Sequence, residues 1–518
     1  MASTNGSHGG DAGGGGFAGL ERRVWVVSGV IVLGTIMSIL DTTIVNVALD
    51  TLARRFHTSL STIQWISTGY LLALATSIPA TGWAIDRFGA KRVWMLSIVL
   101  FLAGSALSGA AWSIGSLIVF RALQGIGGGL LMPVGQTVLA RVAGPQRMGR
   151  VMSIVGVPML LGPVLGPVLG GLLIDDVGWR WIFFVNLPIG ATALVLAWRV
   201  LRDVRADEPG RLDVLGLALL SPGLAVLVYG LSRIGSHGGL DLTAGIALGV
   251  GAATIAAFVV HARRAGERAL IDVHLYRDRG YGAATATVFL FGIGMFGALL
   301  VLPLFFQAVR GESALTTGLL LAPQGVGAAL ALPFAGWITD RWGARRIVPP
   351  GAALATAATW YFTRAGVHTS YLLIESALFV RGFGLGATMM PTTAAAYQRL
   401  AREAVPRATT ALNIVRRVGG SIGTAVLAVV LERRIAAEVG SGGSIGGYGT
   451  IPPGVRQRLA PHLANAFQQT FWAAVLLVSI TVVAAFFLPA RPPEEQPREA
   501  AAESRAEARE EEPQTVEA

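Results

Sequence analysis

Long apolar runs separated by short polar loops dominate the chain. The first run, residues 24–49, has 26 residues and a single ionisable group, Asp41. At about 1.5 Å of rise per residue, a helix of this length crosses the hydrocarbon core of a bilayer, which is about 30 Å thick. Fourteen such runs predict an all-α polytopic membrane protein. They are 24–49, 61–84, 93–112, 115–140, 150–173, 182–201, 213–232, 242–261, 281–306, 314–338, 347–363, 370–396, 408–431 and 466–488.

The basic residues of the loops predict the orientation of the chain, because Arg and Lys are enriched in short cytoplasmic loops. With a cytoplasmic N-terminus, the inner side carries 23 Arg and Lys residues before the tail, and the outer loops carry 10. An even number of spans then places both termini in the cytoplasm. We expect the Gly- and Ser-rich segment 1–23 to be flexible and the Pro- and Glu-rich tail 489–518 to be disordered.

Composition agrees with a membrane protein and excludes several other classes. The chain is 53% hydrophobic and 14% charged, whereas a soluble domain has about 25% charged residues. The net charge of +11 is spread over many loops, which argues against a nucleic-acid-binding patch. There is no cysteine for thiol chemistry and no Walker-type phosphate-binding loop. We therefore expect neither an enzyme nor a bound cofactor or metal.

Asp41 is the first candidate for chemistry, because a carboxylate in the hydrocarbon core is costly unless it is paired, hydrated or protonated. We interpret it as a proton or ion site facing an interior cavity. The alternative is an acid tied to a neighbouring helix for packing alone. Arg121 lies near the outer end of the fourth run, where it can sit beside the outer half of the Asp41 helix. Its alternative role is to extend towards the outer membrane interface.

An internal repeat divides the chain into halves. The eleven residues from Gly82 after the second run match the eleven from Gly336 after the tenth run at seven positions. Parallel repeats of this kind build transporters that rock around a central site. The repeat predicts a six-helix half at 24–201, two additional helices with a linker at 202–280, and a second six-helix half at 281–488.

The repeated loop resembles the signature motif of the major facilitator superfamily. Further matches resemble its fourteen-helix drug:proton antiporter branch, the EmrB/QacA-like transporters. They lie at Leu40–Leu49 in the first run, Arg121–Gly127 in the fourth, Gly162–Gly171 in the fifth and Trp179–Gly190 in the sixth. Asp50 departs from the branch, whose members usually carry proline there. The resemblance covers residues 24–488 and implies two six-helix bundles plus two additional central helices.

The resemblance also implies roles for particular residues. Asp41 and Arg121 would couple transport to protons. The repeated loops would form a conformational latch, made of Gly82, Asp86, Arg87, Gly89, Asp340 and Arg341. We expect basic residues of the same loop and a nearby helix end to hold Asp86. The alternative is that the charges of this loop only set the orientation of the chain in the membrane.

The fifth run carries the antiporter motif of the branch. Its residues are Gly162, Gly166, Pro167, Gly170 and Gly171. Three of these glycines recur every four residues and would let another helix come close. Whether the motif forms a gate between the halves or only packs closely stays open.

Seven further residues are weaker candidates for lining a substrate cavity. Soft and aromatic side chains suit varied apolar ligands, although packing or lipid contact is an equal alternative for each of them. They are Gln64, Trp65, Tyr70, Gln324, Met389, Met390 and Asn413.

Together these features lead us to expect a proton-coupled antiporter of a bacterial cytoplasmic membrane that exports lipophilic or amphiphilic drugs by alternating access. Its partners would be protons, a small amphiphilic substrate and membrane lipids, with the protein as a monomer. Because Arg121, Arg381, Arg416 and Arg417 also lie in apolar runs, anionic or zwitterionic cargo stays open. The alternatives are an exporter of an endogenous lipid or secondary metabolite, an uptake symporter, and a non-transporting sensor.

Overall fold

The computed structural model of the protein describes residues 22–490 except 145–146, 204–209, 238, 399, 402 and 440–452. The expectations for the first residues and for the tail after residue 490 lie outside this part. Within it the chain forms seventeen α-helices and no β-strand. They are α1 (Arg22–Phe56), α2 (Leu60–Ile63), α3 (Trp65–Ser77), α4 (Thr81–Phe88), α5 (Ala90–Gly109), α6 (Ile114–Ala143), α7 (Met148–Leu172), α8 (Trp181–Phe184), α9 (Asn186–Val200), α10 (Val214–His237), α11 (Leu242–Ala265), α12 (Arg279–Leu304), α13 (Ala314–Trp342), α14 (Val348–Tyr361), α15 (Tyr371–Tyr397), α16 (Val405–Val439) and α17 (Pro453–Ala485).

Each of the fourteen predicted runs coincides with one helix or with a series of consecutive shorter ones. In the described residues, eleven helical spans are long and apolar enough to cross a membrane. The second run is not among them because it is divided at Gln64 and at the 3-10 turn Ile78–Ala80, where Pro79 has no N–H to donate. The eleventh run forms α14, which has only 14 residues. The fifth run forms α7, of which only Met148–Val157 counts as a short apolar helix in the described residues. The all-α fold is confirmed, and the count of fourteen crossings stays a prediction.

The polar ends of several helices extend beyond the predicted runs. α1 continues to Phe56, α16 continues to Val439, and α17 already begins at Pro453. The segment between the last two predicted runs, 432–465, is therefore partly helical in its described residues. Hydropathy marks only the part of a helix that suits hydrocarbon. Buried apolar residues continue past that part, since Ile435 and Leu463 belong to one core cluster.

The helices form two bundles and a central pair. In the N-terminal bundle, residues 22–200, α1 packs against α6, α7 and α9, while α5 packs against α6 and α9. In the C-terminal bundle, residues 279–485, α12 packs against α16 and α17, while α15 packs against α13 and α14. The pair α10 and α11 lies against both bundles through α3 and α16. The two bundles meet directly where α7 packs against α13 and α15.

The segment before α12 is fixed to the central pair by Asp213. Its carboxylate accepts hydrogen bonds from the backbone N–H of Gly216 at 2.8 Å and of Leu270 at 3.1 Å. His261 Nε2 lies 2.8 Å from the same carboxylate. Leu270 and Ile271 are buried in an apolar cluster with residues of both bundles. The linker therefore packs against the pair and does not separate it from the C-terminal bundle.

Candidate functional site

Asp41 is fully buried in α1 and is held by three side chains from two other helices. Its carboxylate accepts hydrogen bonds from Arg121 Nη1 at 2.5 Å, Gln124 Nε2 at 2.8 Å and Asn186 Nδ2 at 3.1 Å. Arg121 is 1% exposed, so the two charges form a buried ion pair. Such a pair is favourable only where further hydrogen bonds satisfy its remaining polar atoms. The amides of Gln124 and Asn186 supply them to Asp41.

Tyr70 completes this group of residues, which we call the Asp41 centre. The Arg121 guanidinium carbon lies 4.2 Å from the centroid of the Tyr70 ring, a cation–π contact. The Tyr70 hydroxyl lies 3.0 Å from Ser38 Oγ on α1. Arg121 Nη1 also donates to Gln124 Oε1 at 2.6 Å. Tyr70, one of the cavity candidates, therefore belongs to the packed surroundings of the ion pair.

Local sequence signals place the members of the Asp41 centre. Ser113 and Ser116 form a capping box that starts α6 and fixes Arg121 two turns into that helix. Asn186 is the first residue of α9, and its Nδ2 also donates to Ser105 Oγ at 3.0 Å. Ser105 in turn donates to the Phe183 carbonyl at 2.8 Å. This chain of hydrogen bonds holds the Asn186 amide in the orientation that donates to Asp41.

Sequence reasoning named Asp41, Arg121 and Tyr70 but assigned no role to Gln124 or Asn186. Both residues stand within the motifs quoted from the fourth and sixth runs. The signal that could have found them is an uncharged polar side chain within an apolar run, because such a group needs a hydrogen-bond partner in the membrane.

Asp340, from the second copy of the repeated loop, caps a helix of the opposite bundle. Its carboxylate accepts hydrogen bonds from the backbone N–H of Gly149 at 2.7 Å and of Arg150 at 3.2 Å. Arg150 Nε donates a further bond at 3.0 Å. Gly149 and Arg150 belong to the first turn of α7, whose exposed N–H groups and dipole favour an anion. Asp340 therefore joins the end of α13 directly to the N-terminal bundle.

Asp86, from the first copy, makes looser contacts. Its carboxylate oxygens lie 3.8 Å from Arg141 Nη2 on α6 and 3.9 Å from Arg407 Nε on α16. Arg407 lies in the first turn of α16, so the expected helix end is present. The basic residues of the same loop make other contacts, and for them the expectation was wrong: Lys91 Nζ donates to the Trp198 carbonyl at 2.6 Å, and Arg92 Nε lies 3.1 Å from Asp203 Oδ2.

The remaining latch candidates shape the two loops. Gly82 packs against α16, where an added Cβ would come within 3.4 Å of the Arg407 Cα atom. Gly89 ends α4 with φ 87°, a conformation that favours glycine. Arg87 is exposed. Arg341 is also exposed, and its guanidinium lies 5.6 Å from the ring of Trp337.

The glycines of the fifth-run motif face α1. An added Cβ on Gly162 would collide with Ile39, and one on Gly166 would collide with Thr43. An added Cβ on Gly170 would come within 3.4 Å of Ile44. Gly171 does not share this face, since nothing lies within 4 Å of its added Cβ. The side chain of Pro167, also named in this motif, lies outside the described part of the chain.

The other cavity candidates lie in separate environments. Gln64 and Trp65 are exposed, and the Trp65 ring stacks on Tyr229 of α10 at 5.9 Å. Met389 and Met390 are buried in the main core cluster. Asn413 Nδ2 donates to Gln136 Oε1 at 2.8 Å and so joins α16 to α6 across the bundles.

Gln324 belongs to a counterpart of the Asp41 centre in the C-terminal bundle. The register that pairs Asp86 with Asp340 also pairs Tyr70 with Gln324 and Ser105 with Thr359. Gln324 accepts a hydrogen bond from Arg381 Nη1, and Thr359 Oγ1 lies 3.2 Å from Arg381 Nε. No carboxylate pairs with Arg381 among the described residues. Among the described residues, the ion pair of the Asp41 centre therefore has no equivalent around Arg381, whose partners are uncharged.

Comparison with known proteins identifies the family of this chain. Residues 31–424 match the family model described as Major Facilitator Superfamily. The multidrug resistance protein B homolog of Mycobacterium tuberculosis is 42% identical over 485 residues, which cover 89% of each chain. The tetracenomycin C resistance and export protein of Streptomyces glaucescens is 30% identical over 419 residues, 81% of this chain and 78% of that relative.

A solved structure shows the same fold. The proton:xylose symporter XylE aligns with a TM-score of 0.58 and 14% identity over 89% of this chain and 94% of that one. Fold and sequence agree, and the resemblance to multidrug efflux transporters drawn from the motifs is confirmed. The chain belongs to the Major Facilitator Superfamily, whose members are membrane transporters.

Proposed function

We propose that this transporter is a proton-coupled antiporter that exports lipophilic or amphiphilic drugs across the bacterial cytoplasmic membrane. The observation that carries the proposal is the Asp41 centre, a titratable carboxylate buried within the N-terminal bundle. The relatives are named as a multidrug resistance protein and an antibiotic resistance and export protein, and these names support drug export.

The Asp41 centre links protonation to the positions of helices. As a carboxylate, Asp41 accepts from three donors on α6 and α9. A protonated Asp41 no longer forms an ion pair with Arg121 and presents an O–H that needs an acceptor. Proton binding therefore changes the contacts among α1, α6 and α9. Each pH unit of a gradient supplies about 1.4 kcal/mol, and each charge moved across the membrane supplies about 2.3 kcal/mol per 100 mV.

Contacts between the bundles support alternating access. Asp340 caps α7, Asp86 lies near Arg407, and Asn413 bonds to Gln136. We place the repeated loops in the cytoplasm, as the loop charges predict. In that orientation these contacts hold the cytoplasmic side closed, and they must separate before cargo enters from the cytoplasm.

Neutralising the acid tests the proposal. We expect Asp41→Asn to fold and insert normally but to abolish proton-driven efflux of a fluorescent drug in everted membrane vesicles, because the side chain no longer titrates. Glu375→Gln is the matched control, since it removes another acid from a membrane helix, α15, outside the Asp41 centre. Proton-driven efflux at the wild-type rate in Asp41→Asn vesicles would falsify the coupling role.

The orientation is tested separately by reporter fusions. Leu240 lies between α10 and α11, and Arg268 lies between α11 and α12. With a cytoplasmic N-terminus and fourteen spans, we expect a fusion after Leu240 to report the outer side and one after Arg268 to report the cytoplasm. The same side for both fusions would show that α10 and α11 do not cross as a pair.

Export of one endogenous secondary metabolite is the second candidate function. The relative from Streptomyces glaucescens, named for the resistance to and export of a single antibiotic, favours it. A panel of chemically unrelated drugs in a pump-deficient host separates the two candidates. Broad resistance supports the multidrug exporter, whereas resistance to none of the panel together with loss of one secreted metabolite on gene deletion supports the second candidate.

A further inference from the structure

A group of buried hydrogen-bond donors lies where the two bundles meet. We call Gln136, Tyr397, Arg416 and Arg417 the junction donor cluster. Each has a buried polar atom without a hydrogen-bond partner in the described part of the chain: Gln136 Nε2, the Tyr397 hydroxyl, Arg416 Nη1 and Arg417 Nε. Gln136, Tyr397 and Arg416 are 0%, 1% and 7% exposed, whereas Arg417 is half-buried with its Nε atom enclosed. Solvent therefore does not satisfy these four polar atoms.

Hydrogen bonds and helix positions bring Gln136, Tyr397 and Arg416 to one region, and Arg417 is the next residue after Arg416 in α16. Asn413, which bonds to Gln136, lies one turn before Arg416 and Arg417 in α16. Arg416 Nη2 donates to Thr393 Oγ1 at 3.0 Å, and Thr393 lies one turn before Tyr397 in α15. The cluster thus combines α6 of the N-terminal bundle with α15 and α16 of the C-terminal bundle.

The cluster carries two positive charges without a compensating acid. Arg121 is neutralised by Asp41, but no carboxylate forms an ion pair with Arg416 or Arg417 among the described residues. An unpaired buried charge is strongly unfavourable, and a buried donor left without a partner adds to that cost. An oxyanion would supply the missing charge and several acceptor lone pairs together.

We propose that the junction donor cluster binds the acidic group of an amphiphilic anion, so that the exported cargo includes amphiphilic carboxylates and sulfonates. This inference rests on the proposed function as an exporter. Met389 and Met390 lie one turn before Thr393 on α15, and their flexible thioether side chains suit apolar bodies of different shapes.

The position of the cluster fits a cargo site that alternates between the two sides. It lies between the bundles, which Asp340 and Asn413 hold together in this conformation. An anion therefore reaches Arg416 when the bundles separate. This access distinguishes cargo from a lipid headgroup bound on the outer face of a bundle. A small inorganic anion such as chloride has the same access and is tested as the other source of negative charge.

Two fluorescent amphiphiles test the inference by equilibrium binding. Anilinonaphthalene sulfonate and phenylnaphthylamine share one aromatic body and differ by the sulfonate group. We expect the wild-type protein in nanodiscs to bind the sulfonate about tenfold to a hundredfold more tightly than the neutral compound, after subtraction of empty nanodiscs. Arg416→Gln should lose this preference while its affinity for phenylnaphthylamine is unchanged, and Arg416→Lys should retain part of it.

Arg434→Gln is the control, because Arg434 lies on the same helix α16 but is exposed. It should keep the wild-type preference. Equal affinities of the wild-type protein for the two amphiphiles overturn the inference, as does an undiminished preference in both Arg416→Gln and Arg417→Gln. If chloride alone stabilises the wild type but not Arg416→Gln against thermal unfolding and abolishes the preference for the sulfonate, the site is an inorganic-anion site and the cargo assignment is wrong.

The binding measurement needs no proton gradient and so separates this inference from the proposed function. Equal affinities of the wild-type protein for the two amphiphiles, together with intact drug efflux, would refute only the anion site. A preserved preference with no proton-driven efflux of any cargo by the wild-type protein would refute only the antiporter.

Discussion

The single side chain of Arg121 makes three different kinds of contact. It forms the ion pair with Asp41, donates to Gln124 Oε1, and lies over the ring of Tyr70. A planar guanidinium can do all three at once because its donors point outwards in a fixed plane while its face stacks on the ring. A lysine ammonium is a compact charge on a flexible stem and has no such face. The identity of the cation, and not only its charge, therefore matters at this position.

We expect Arg121→Lys to fold but to lower proton-driven transport at least about tenfold, since a loss of about 1.5 kcal/mol or more of charge-assisted bonding changes an equilibrium by that factor. Transport rates in everted vesicles, normalised to inserted protein, provide the measurement. Arg180→Lys is the control, because Arg180 also stacks on an aromatic ring, that of Trp179 at 4.5 Å, but is exposed. Equal rates for Arg121→Lys and the wild type would show that a positive charge alone suffices.

The residues of the Asp41 centre show what the sequence could and could not predict. Asp41 was predictable because a lone acid in an apolar run is costly and therefore conspicuous. Gln124 and Asn186 were not assigned because an amide in a membrane helix has several possible partners in packing. Which one it bonds depends on how α1, α6 and α9 rotate against each other. Helix rotation is a property of tertiary packing and leaves little trace in hydropathy.

Helix α7 shows the same limit at the scale of an element. The spacing of Gly162, Gly166 and Gly170 predicted a face for close approach, and the structure places α1 on that face. Spacing alone could not show that Gly171 lies off the face that contacts α1, because the sequence does not say which side of α7 the partner helix covers. The predicted helices were also correct in order, while their polar ends, such as 453–465 of α17, were read as loop.

This packing predicts different effects of one substitution at two neighbouring sites. Gly166→Ala should destabilise the protein by about 1–3 kcal/mol, because the new methyl group collides with Thr43 and forces α1 away from α7. Gly171→Ala adds the same methyl group where nothing lies within 4 Å, so we expect no loss of stability there. The measurement is the thermal unfolding midpoint of each of the two variants in detergent. Equal unfolding midpoints would show that the α1–α7 interface adjusts freely.

At the scale of the whole molecule, the two copies of the loop motif hold the bundles together unequally. Asp340 accepts three hydrogen bonds at 2.7–3.2 Å from the first turn of α7. Asp86 reaches its two arginines only at 3.8–3.9 Å. The repeated motif gave Asp86 and Asp340 the same expected latch role. Hydrogen-bond distance favours Asp340 as the stronger latch, since direct charge-assisted bonds are stronger than distant ion pairs in polar surroundings.

We therefore expect Asp340→Asn to open the loop-motif side of the junction more than Asp86→Asn does. A loss of about 1.5–3 kcal/mol of charge-assisted bonding shifts a two-state ratio about tenfold to a hundredfold. The chain has no cysteine, so one introduced thiol reports accessibility without background. Thr410→Cys suits this purpose, because Thr410 is fully buried in α16 beside Gly82 of the opposite bundle.

The measurement is the rate at which a membrane-impermeant maleimide labels Cys-substituted position 410 from the loop-motif side. We expect labelling to be fastest with Asp340→Asn, slower with Asp86→Asn and slowest in the parent that carries only Thr410→Cys. The equilibrium affinity for cargo should be unchanged, because neither acid lies in the Asp41 centre or the junction donor cluster. Asp203→Asn is the control, as it removes an ion pair at 3.1 Å between Arg92 of α5 and the segment that follows α9, and this pair does not join the two bundles. Faster labelling in Asp86→Asn than in Asp340→Asn would reverse the ranking. A collapse of cargo affinity in either variant would place that acid in the binding site and not in a latch.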